Sequence, residues 1–266
     1  MPGRNTAGVY QLSPNIELLF TEAGADYADR ISAAAAAGFD AVEMWGTSAH
    51  DVASLRDRLQ ATGVSLTAVL AEPRTSFTLP GTDLGAFFDG LDRGVANARE
   101  LNCPRIVLGS GVGFPGAKRQ PQLDRLVEVF TQAVERTAGS GVKLVLEAVN
   151  TRVDHPGALL DRTADAVYIA RGVGSDRFGL LYDLYHSVTE GEDPAAELAG
   201  AGDLIDYVQI ADSPGRGEPG SGGVDWPARL AVLRKSGYTG PLGLEYFPTV
   251  ESAASLAYIK GVATAV

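Results

Sequence analysis

The chain has 266 residues, of which 45% are hydrophobic and 21% are charged, and its formal net charge at pH 7 is −11. This length favours either two small domains or one (β/α)₈ barrel, which needs about 250 residues. The negative charge repels nucleic-acid backbones and so disfavours a nucleic-acid-binding protein, whereas it would attract a metal cation.

Residues 1–14 carry neither the apolar core nor the cleavage pattern of a secretory signal. We expect them to form an N-terminal tail or a plug at the bottom of such a barrel. No segment approaches the roughly 18 apolar residues of a membrane-spanning helix, so no membrane contact is expected. Cys103 is the only cysteine, which excludes an intrachain disulfide and fits a cytoplasmic protein.

Short apolar segments alternate along the chain with longer amphipathic or alanine-rich segments. The predicted strands are NIELLF (15–20), DAVEMW (40–45), VSLTAVLA (64–71), RIVLGS (105–110), KLVLEAV (143–149), FGLLYDL (178–184), DYVQIAD (206–212) and LGLEYF (242–247). The predicted helices cover about 24–38, 51–62, 84–101, 121–140, 163–173, 194–202 and 226–236, with a last one after Glu251. Strands that alternate with helices predict a parallel sheet. Eight such units favour an α/β fold with a single (β/α)₈ TIM barrel over residues 15–266.

Four consecutive predicted strands end in an oxygen-bearing side chain. KLVLE ends at Glu147, GLLYD at Asp183, DYVQ at Gln209 and LGLE at Glu245. Active-site residues of such barrels lie at the C-terminal strand ends, and neighbouring strands are about 4.8 Å apart, so the four side chains could converge. Three converging carboxylates would repel each other without a cation. We therefore predict a Mn²⁺ or Mg²⁺ site; the alternative is that each group separately caps a helix or pairs with an arginine.

Further polar residues follow the predicted strand ends. His186 leaves the same strand end as a predicted ligand, and we expect it to contact the substrate or the metal's surroundings. His155, in NTRVDHPG, either enters the pocket or organises a turn. Arg216 and Glu218 lie in a loop rich in glycine and proline, where they either bind substrate or form a solvated pair. Glu43 ends the second strand and either reaches the pocket floor or makes a structural hydrogen bond.

The segments LEAVNTR, LLYDLYH, VQIADSPGRGEPGSG and LGLEY resemble the hydroxypyruvate isomerase-like branch of the xylose isomerase-like TIM barrel superfamily, over about residues 15–248. The resemblance implies metal ligands at Glu147, Asp183, Gln209 and Glu245. It implies that the two glutamates are also the catalytic acid/base pair and that His186 and Arg216 contact the substrate. The segments NTRVDHPGALL and EMWGTSAHD depart from the family pattern at the expected pocket rim, so the substrate is left open.

The resemblance implies proton transfer next to a carbonyl, which would isomerise or epimerise a small 2-hydroxy-carbonyl compound or ketose, such as a sugar or hydroxy-keto acid, through an enediolate. An alternative is a metal-dependent lyase of oxidised sugars, similar to C-glycoside deglycosidases, in which His155 would act as a further base. Elimination would release an aglycone, whereas isomerisation releases nothing.

Two other functions fit the sequence less well. Phosphodiester cleavage of the endonuclease IV type needs a cluster of zinc-binding histidines, whereas this chain has three histidines and a charge of −11. A sugar-binding barrel without catalytic activity would keep its ligand affinity unchanged after Glu147→Gln or Glu245→Gln. A homo-oligomer is compatible with the sequence, although we find no interface signature.

Overall fold

The computed structural model describes residues 10–265. Their strands are Leu12–Pro14 (β1), Ala41–Val42 (β2), Ser65–Leu66 (β3), Val69–Leu70 (β4), Arg105–Leu108 (β5), Lys143–Glu147 (β6), Phe178–Asp183 (β7), Ile205–Ile210 (β8) and Leu242–Leu244 (β9). Their α-helices are Tyr27–Ala36 (α1), Val52–Thr62 (α2), Leu84–Glu100 (α3), Arg119–Arg136 (α4), Thr163–Val173 (α5), Leu184–Glu190 (α6), Pro194–Ala201 (α7), Trp226–Lys235 (α8), Ser252–Ser255 (α9) and Ala257–Ala265 (α10). Short 3₁₀ turns lie at Thr21–Ala23 and Gly202–Leu204.

The strands run parallel and close into a barrel. One sheet has the order β1-β9-β8-β7-β6-β5-β4, and β2 pairs with β3. Since β3 and β4 are two parts of one extended segment, they form a single barrel strand. The barrel closes where Asn15 bridges Glu43, directly after β1 and β2. Within residues 10–265 the chain is thus a (β/α)₈ TIM barrel, which confirms the predicted fold class.

The first strand lies earlier in the chain than the sequence predicts. The prediction over 15–20 is wrong, because the strand is Leu12–Pro14, which pairs with Leu242–Leu244. The end of the predicted tail therefore belongs to the barrel, whereas residues 1–9 lie outside the described part. Ile16 and Leu19 are buried in the turn after the strand. These apolar residues pack a turn into the core. A short apolar run such as NIELLF does not distinguish such a turn from a strand.

A short helix follows β7 where the sequence predicts a longer strand. Asp183 is the last residue of β7 and also the N-cap of α6, since its side chain accepts hydrogen bonds from the amides of Tyr185 and His186. The strand therefore changes directly into a helix, with no connecting glycine or proline. This junction holds Asp183 and His186 one helical turn apart at the barrel mouth.

An apolar layer inside the barrel lies below the strand ends. It is formed by Ala68, Val107, Val145, Leu181 and Tyr207. Side chains alternate along a strand, so residues two positions further on also point inward. Those residues are Glu147 on β6, Asp183 on β7 and Gln209 on β8. The helices of the described segment lack the length and apolarity needed to cross a bilayer.

Candidate active site

Three carboxylates and one amide lie at the C-terminal ends of consecutive strands. Glu147 is the last residue of β6, and Asp183 and Gln209 are register partners on β7 and β8. Glu245 directly follows β9. Asp183, Gln209 and Glu245 are buried, and the side chain of Glu147 is 13% exposed. The four strand ends that the sequence singles out therefore lie at one end of the barrel.

His186 lies against two of these carboxylates. Its Nε2 is 3.6 Å from Oε1 of Glu147 and 3.6 Å from Oδ2 of Asp183. One potential ligand atom from each of the three residues lies within 4.8 Å of the others. Because Oδ1 of Asp183 caps α6, its Oδ2 is left to face the imidazole. The structure thus joins the ends of β6 and β7 in one polar cluster.

The hydrogen bonds of His186 make its Nε2 a donor and not a metal ligand. The backbone N–H of Asn150 donates to Nδ1 at 3.2 Å. A backbone N–H can only donate, so Nδ1 carries no proton and a neutral ring carries its proton on Nε2. Burial and the charge of Arg216 lower the pKa of His186 to about 3, so the ring is neutral near pH 7. The Nε2–H is suited to donate to a substrate oxygen.

Glu245 is held by hydrogen bonds to both of its carboxylate oxygens. Nε1 of Trp45 donates to Oε1 at 2.5 Å, and Nη2 of Arg216 donates to Oε2 at 3.2 Å. Glu147 makes no side-chain hydrogen bond among the described residues, and its contact with His186 is 3.6 Å long. The two glutamates therefore differ, because only Glu245 is oriented by hydrogen-bond donors.

Arg216 lies at the centre of a second polar cluster. Its Nη1 is 3.9 Å from Oδ1 of Asp154, and its guanidinium lies 5.2 Å from the ring centroid of Tyr185. The hydroxyl of Tyr185 donates in turn to Asp154 at 2.7 Å. The Nε of Arg216 is buried and has no protein partner in residues 10–265. This donor is suited to an oxygen of a bound ligand.

Glu43 and Gln209 form a hydrogen-bonded pair at the base of the site. Nε2 of Gln209 donates to Oε1 of Glu43 at 2.9 Å. Glu43 is buried and also accepts hydrogen bonds from Asn15 and Tyr207. The Oε1 of Gln209 is buried and has no hydrogen-bond partner in the described part of the chain. Buried amide oxygens normally have a partner, so this atom is a candidate ligand atom.

The electrostatics of the cluster favour a bound cation. Burial raises the pKa of Glu147 well above its usual range, and the charges of Glu245 and Asp183 raise it further. Burial also raises the pKa of Asp183. A divalent cation would relieve this repulsion, and three carboxylates with one amide oxygen are a donor set that fits Mg²⁺ or Mn²⁺. These residues therefore fit the predicted metal.

Comparison with known proteins identifies the family. The sequence model of the xylose isomerase-like TIM barrel family matches residues 31–262. The chain belongs to this family. This membership confirms the resemblance and the barrel fold inferred from the sequence.

Two curated relatives of this family member are isomerases. The chain is 32% identical to a 2-oxo-tetronate isomerase of Cupriavidus necator, over 94% of this chain and 97% of that protein. It is 29% identical to the hydroxypyruvate isomerase of Escherichia coli, over 94% of this chain and 98% of the relative. A crystal structure described as a family 2 AP endonuclease from Brucella melitensis superposes with a TM-score of 0.87 at 25% identity, covering 95% of this chain and 98% of that one.

Three predicted substrate contacts lie at different distances from the cluster in this xylose isomerase-like barrel. The ring of His155 is 5.2 Å from that of His186, and burial and the charge of Arg216 lower its pKa. Glu218 accepts hydrogen bonds from the backbone and hydroxyl of Thr249 and so ties two loops together. Glu43 accepts a hydrogen bond from Gln209. Contact of these three residues with a substrate stays a prediction.

The sequence-based selection missed four residues that orient the site of this family member. They are Trp45, Asn150, Asp154 and Tyr185. Trp45 was detectable, because it lies two positions beyond Glu43 in the predicted strand DAVEMW (40–45), where alternation predicts the same face for both residues. The others lie in a loop or on α6, a helix that the sequence analysis does not predict.

A cavity of about 290 Å³ borders Trp45 at the barrel mouth. His50, Glu72 and Arg74 contribute to its lining. The guanidinium of Arg74 lies 5.6 Å from the Trp45 ring centroid, and Glu72 accepts hydrogen bonds from Ser48. The cavity approaches the size of small-molecule pockets, which begin near 300 Å³. Trp45, whose indole donates to Glu245, therefore borders this cavity and contacts the strand-end cluster.

Proposed function

We propose that this chain is a divalent-metal-dependent isomerase or epimerase of a small 2-hydroxy-carbonyl compound, with a hydroxypyruvate-like 2-oxo acid or a ketose as substrate. The observation that carries this proposal is the set of three carboxylates at the ends of β6, β7 and β9. Two of them are buried and Glu147 is 13% exposed, and they share one end of the barrel with the Gln209 amide oxygen, which has no partner in residues 10–265. The isomerase relatives, whose names specify 2-oxo acids, support the same reaction type.

The metal would be held by the strand-end residues Glu147, Asp183, Gln209 and Glu245. When bound, a divalent cation supplies positive charge that stabilises negative charge on the substrate oxygens. We infer Mn²⁺ or Mg²⁺ because the four donor atoms are all oxygen. His186 is kept out of this set because its Nδ1 accepts from Asn150 and its Nε2 carries the proton.

The two glutamates would move the proton. Trp45 and Arg216 hold Glu245 in one orientation, which suits a base that must meet one carbon atom. Glu147 accepts no hydrogen bond from another residue within residues 10–265, which suits the group that receives the proton and returns it. Return to the neighbouring carbon gives isomerisation, and return to the opposite face of the same carbon gives epimerisation.

The remaining polar residues would bind the substrate. The Nε2–H of His186 would donate to an oxygen next to the reacting carbon. The buried Nε of Arg216 would donate to a carboxylate or hydroxyl. The cavity beside Trp45 would receive the unreactive end of the substrate.

Deuterium exchange tests this proposal. The Mn²⁺-loaded protein is incubated in D₂O with hydroxypyruvate, tetruloses, ketohexoses and 3-oxo-glycosides, and products are followed by NMR. We expect deuterium at the carbon that loses or gains the proton, with a 2-oxo acid or ketose as the best substrate. No uptake from any of them by a folded, metal-loaded sample would contradict the proposal, and release of an aglycone would indicate the lyase instead.

A further inference from the structure

We propose that Glu43 is a positioning residue that turns the amide of Gln209 so that its oxygen faces the three carboxylates. Glu43 would not touch the substrate or the metal itself. The inference rests on the proposed function, because the oriented amide oxygen matters only if Gln209 is a metal ligand.

The hydrogen bonds of Glu43 define one orientation of the Gln209 amide. Its Oε1 accepts from Nε2 of Gln209 at 2.9 Å and from Nδ2 of Asn15 at 3.1 Å. Because Oε1 accepts both of these hydrogen bonds, it carries no proton, and the amide group presents its NH₂ to Glu43. The opposite orientation would set two oxygen acceptors against each other. The amide oxygen therefore points away from Glu43, where it has no partner among the described residues.

Asn15 requires a hydrogen-bond acceptor at the position of the Glu43 carboxylate. Its own Oδ1 accepts a hydrogen bond from the backbone N–H of Glu17 at 3.0 Å, so its NH₂ must point at Glu43. Two NH₂ groups, from Asn15 and Gln209, thus converge on one oxygen of Glu43. This arrangement predicts that a glutamine at position 43 would place its oxygen, and not its nitrogen, between them.

Glycine on the neighbouring strand makes room for the Glu43 carboxylate. A Cβ at Gly243 would lie 2.4 Å from Oε2 of Glu43 and 2.8 Å from Cγ of Gln209. Real Cβ atoms do not approach other atoms this closely, so any side chain at Gly243 would displace the pair. The space beneath the site is therefore filled by Glu43 and depends on the residue type in β9.

A buried hydroxyl network holds Glu43 from below. Tyr207 donates to its Oε2 at 2.5 Å and lies 2.9 Å from the hydroxyl of Thr67. Thr67 is in turn 2.6 Å from the hydroxyl of Ser13. The network reaches from β1 to β8, so the position of the carboxylate is set by several strands. Residues that orient ligands in this way typically change metal affinity about 10- to 100-fold when removed.

Mn²⁺ titration followed by EPR tests the inference without using activity. We expect Glu43→Leu to weaken Mn²⁺ binding about 10- to 100-fold, because the Gln209 amide loses the acceptor that orients it. Glu43→Gln should retain binding, because Asn15 keeps the new amide oxygen facing Gln209. In a Gln209→Ala background the same Glu43→Leu change should cost nothing further, since the group on which it acts is gone.

Thr67→Val is the matched control, because it removes hydroxyl hydrogen bonds below Glu43 and leaves the bond to Gln209. It should lower the melting temperature and keep Mn²⁺ affinity within about twofold. Wild-type affinity in folded Glu43→Leu, or additive losses in the double variant, would overturn the inference alone. Absence of Mn²⁺ binding by the wild-type protein would overturn the proposed function and this inference with it.

Discussion

The indole Nε1 of Trp45 donates a hydrogen bond of 2.5 Å to Oε1 of Glu245, although the two residues are 200 positions apart. This contact joins the ends of the second and the last barrel strands across the mouth. Together with Arg216 it fixes both oxygens of Glu245, whereas Glu147 makes no side-chain hydrogen bond within residues 10–265. The site is therefore asymmetric, which is useful when one group must remove a proton and another must return it.

Trp45→Phe should lower kcat for the proposed reaction about 10- to 100-fold, because a hydrogen bond to a charged group contributes about 1.5–3 kcal/mol. Steady-state kinetics with the best substrate measures this loss. Trp226→Phe is the control, since it removes the chain's other indole donor, which bonds Asp212 at 3.0 Å. That variant should lose stability but less activity. Equal kcat values for Trp45→Phe and wild type would show that Glu245 needs no orientation by the indole.

Glu147→Gln should lower kcat about 10²- to 10⁴-fold. The same substitution should raise the melting temperature of the protein in EDTA. The reason is that burial and two neighbouring carboxylates make ionised Glu147 unfavourable in the metal-free protein. Mn²⁺ at a hundred times its Kd should raise the wild-type melting temperature by roughly 5 to 10 °C. The shift should be smaller in Glu147→Gln. Calorimetry with EDTA and with Mn²⁺ measures the melting temperature in each state and the shift between them. A Glu147→Gln variant that melts below the wild type in EDTA would contradict the electrostatic argument.

The placement of the four candidate ligands was predictable because it depends on local periodicity. Val145 and Glu147 are two positions apart on β6, and Leu181 and Asp183 are two apart on β7. An apolar strand residue that points into the barrel therefore predicts the direction of the polar residue beyond it. Parallel strands place all of their C-terminal ends at one end of the barrel, so the four candidate ligands must lie there.

The orientation of these side chains was not predictable from local sequence. Gln209 is turned by Glu43, which lies 166 positions earlier, and His186 is turned by the backbone of Asn150, 36 positions earlier. Such contacts depend on tertiary packing. The missed helix α6 has a different cause: Asp183 is both the last residue of β7 and the N-cap of α6, so the capping aspartate coincides with the polar end of a strand.

His186→Gln should retain much more activity than His186→Asn, although only asparagine can place a polar atom at the position of Nδ1. The Nε2 of glutamine can reach the position of the imidazole Nε2, whereas asparagine can only replace Nδ1 and its bond from Asn150. We expect kcat/KM to fall about 100-fold or more for Asn, and about tenfold for Gln. Kinetics of the two purified variants checks this order. The reverse order would indicate that His186 serves to hold Asn150.

Asp206 provides a pH-dependent contribution to stability far from the strand-end cluster. It accepts hydrogen bonds from Nε of Arg105 at 2.6 Å and from Nζ of Lys143 at 2.8 Å. Burial raises its pKa, but the hydrogen bond from Lys143 and the charge of Arg105 outweigh burial, so the pKa lies below its usual range. A carboxylate with a lowered pKa stabilises the fold above its unfolded pKa, about 3.9, and loses this effect as pH falls through the folded value.

Asp206→Asn should therefore cost about 1 to 3 kcal/mol in free energy of unfolding between pH 5 and pH 8, because two cations lose their charged partner. The difference from wild type should begin to shrink as pH falls below about 4, where Asp206 of the unfolded chain takes up a proton, and it should be lost once the pH passes the lower pKa of Asp206 in the folded protein. Urea denaturation at pH 7, 5 and 3.5 measures the difference at each pH. Subtracting the variant from the wild type removes the contributions of Glu147 and Asp183, whose raised pKa values act in the opposite direction. A difference that grows towards low pH would contradict the sign of the Asp206 shift.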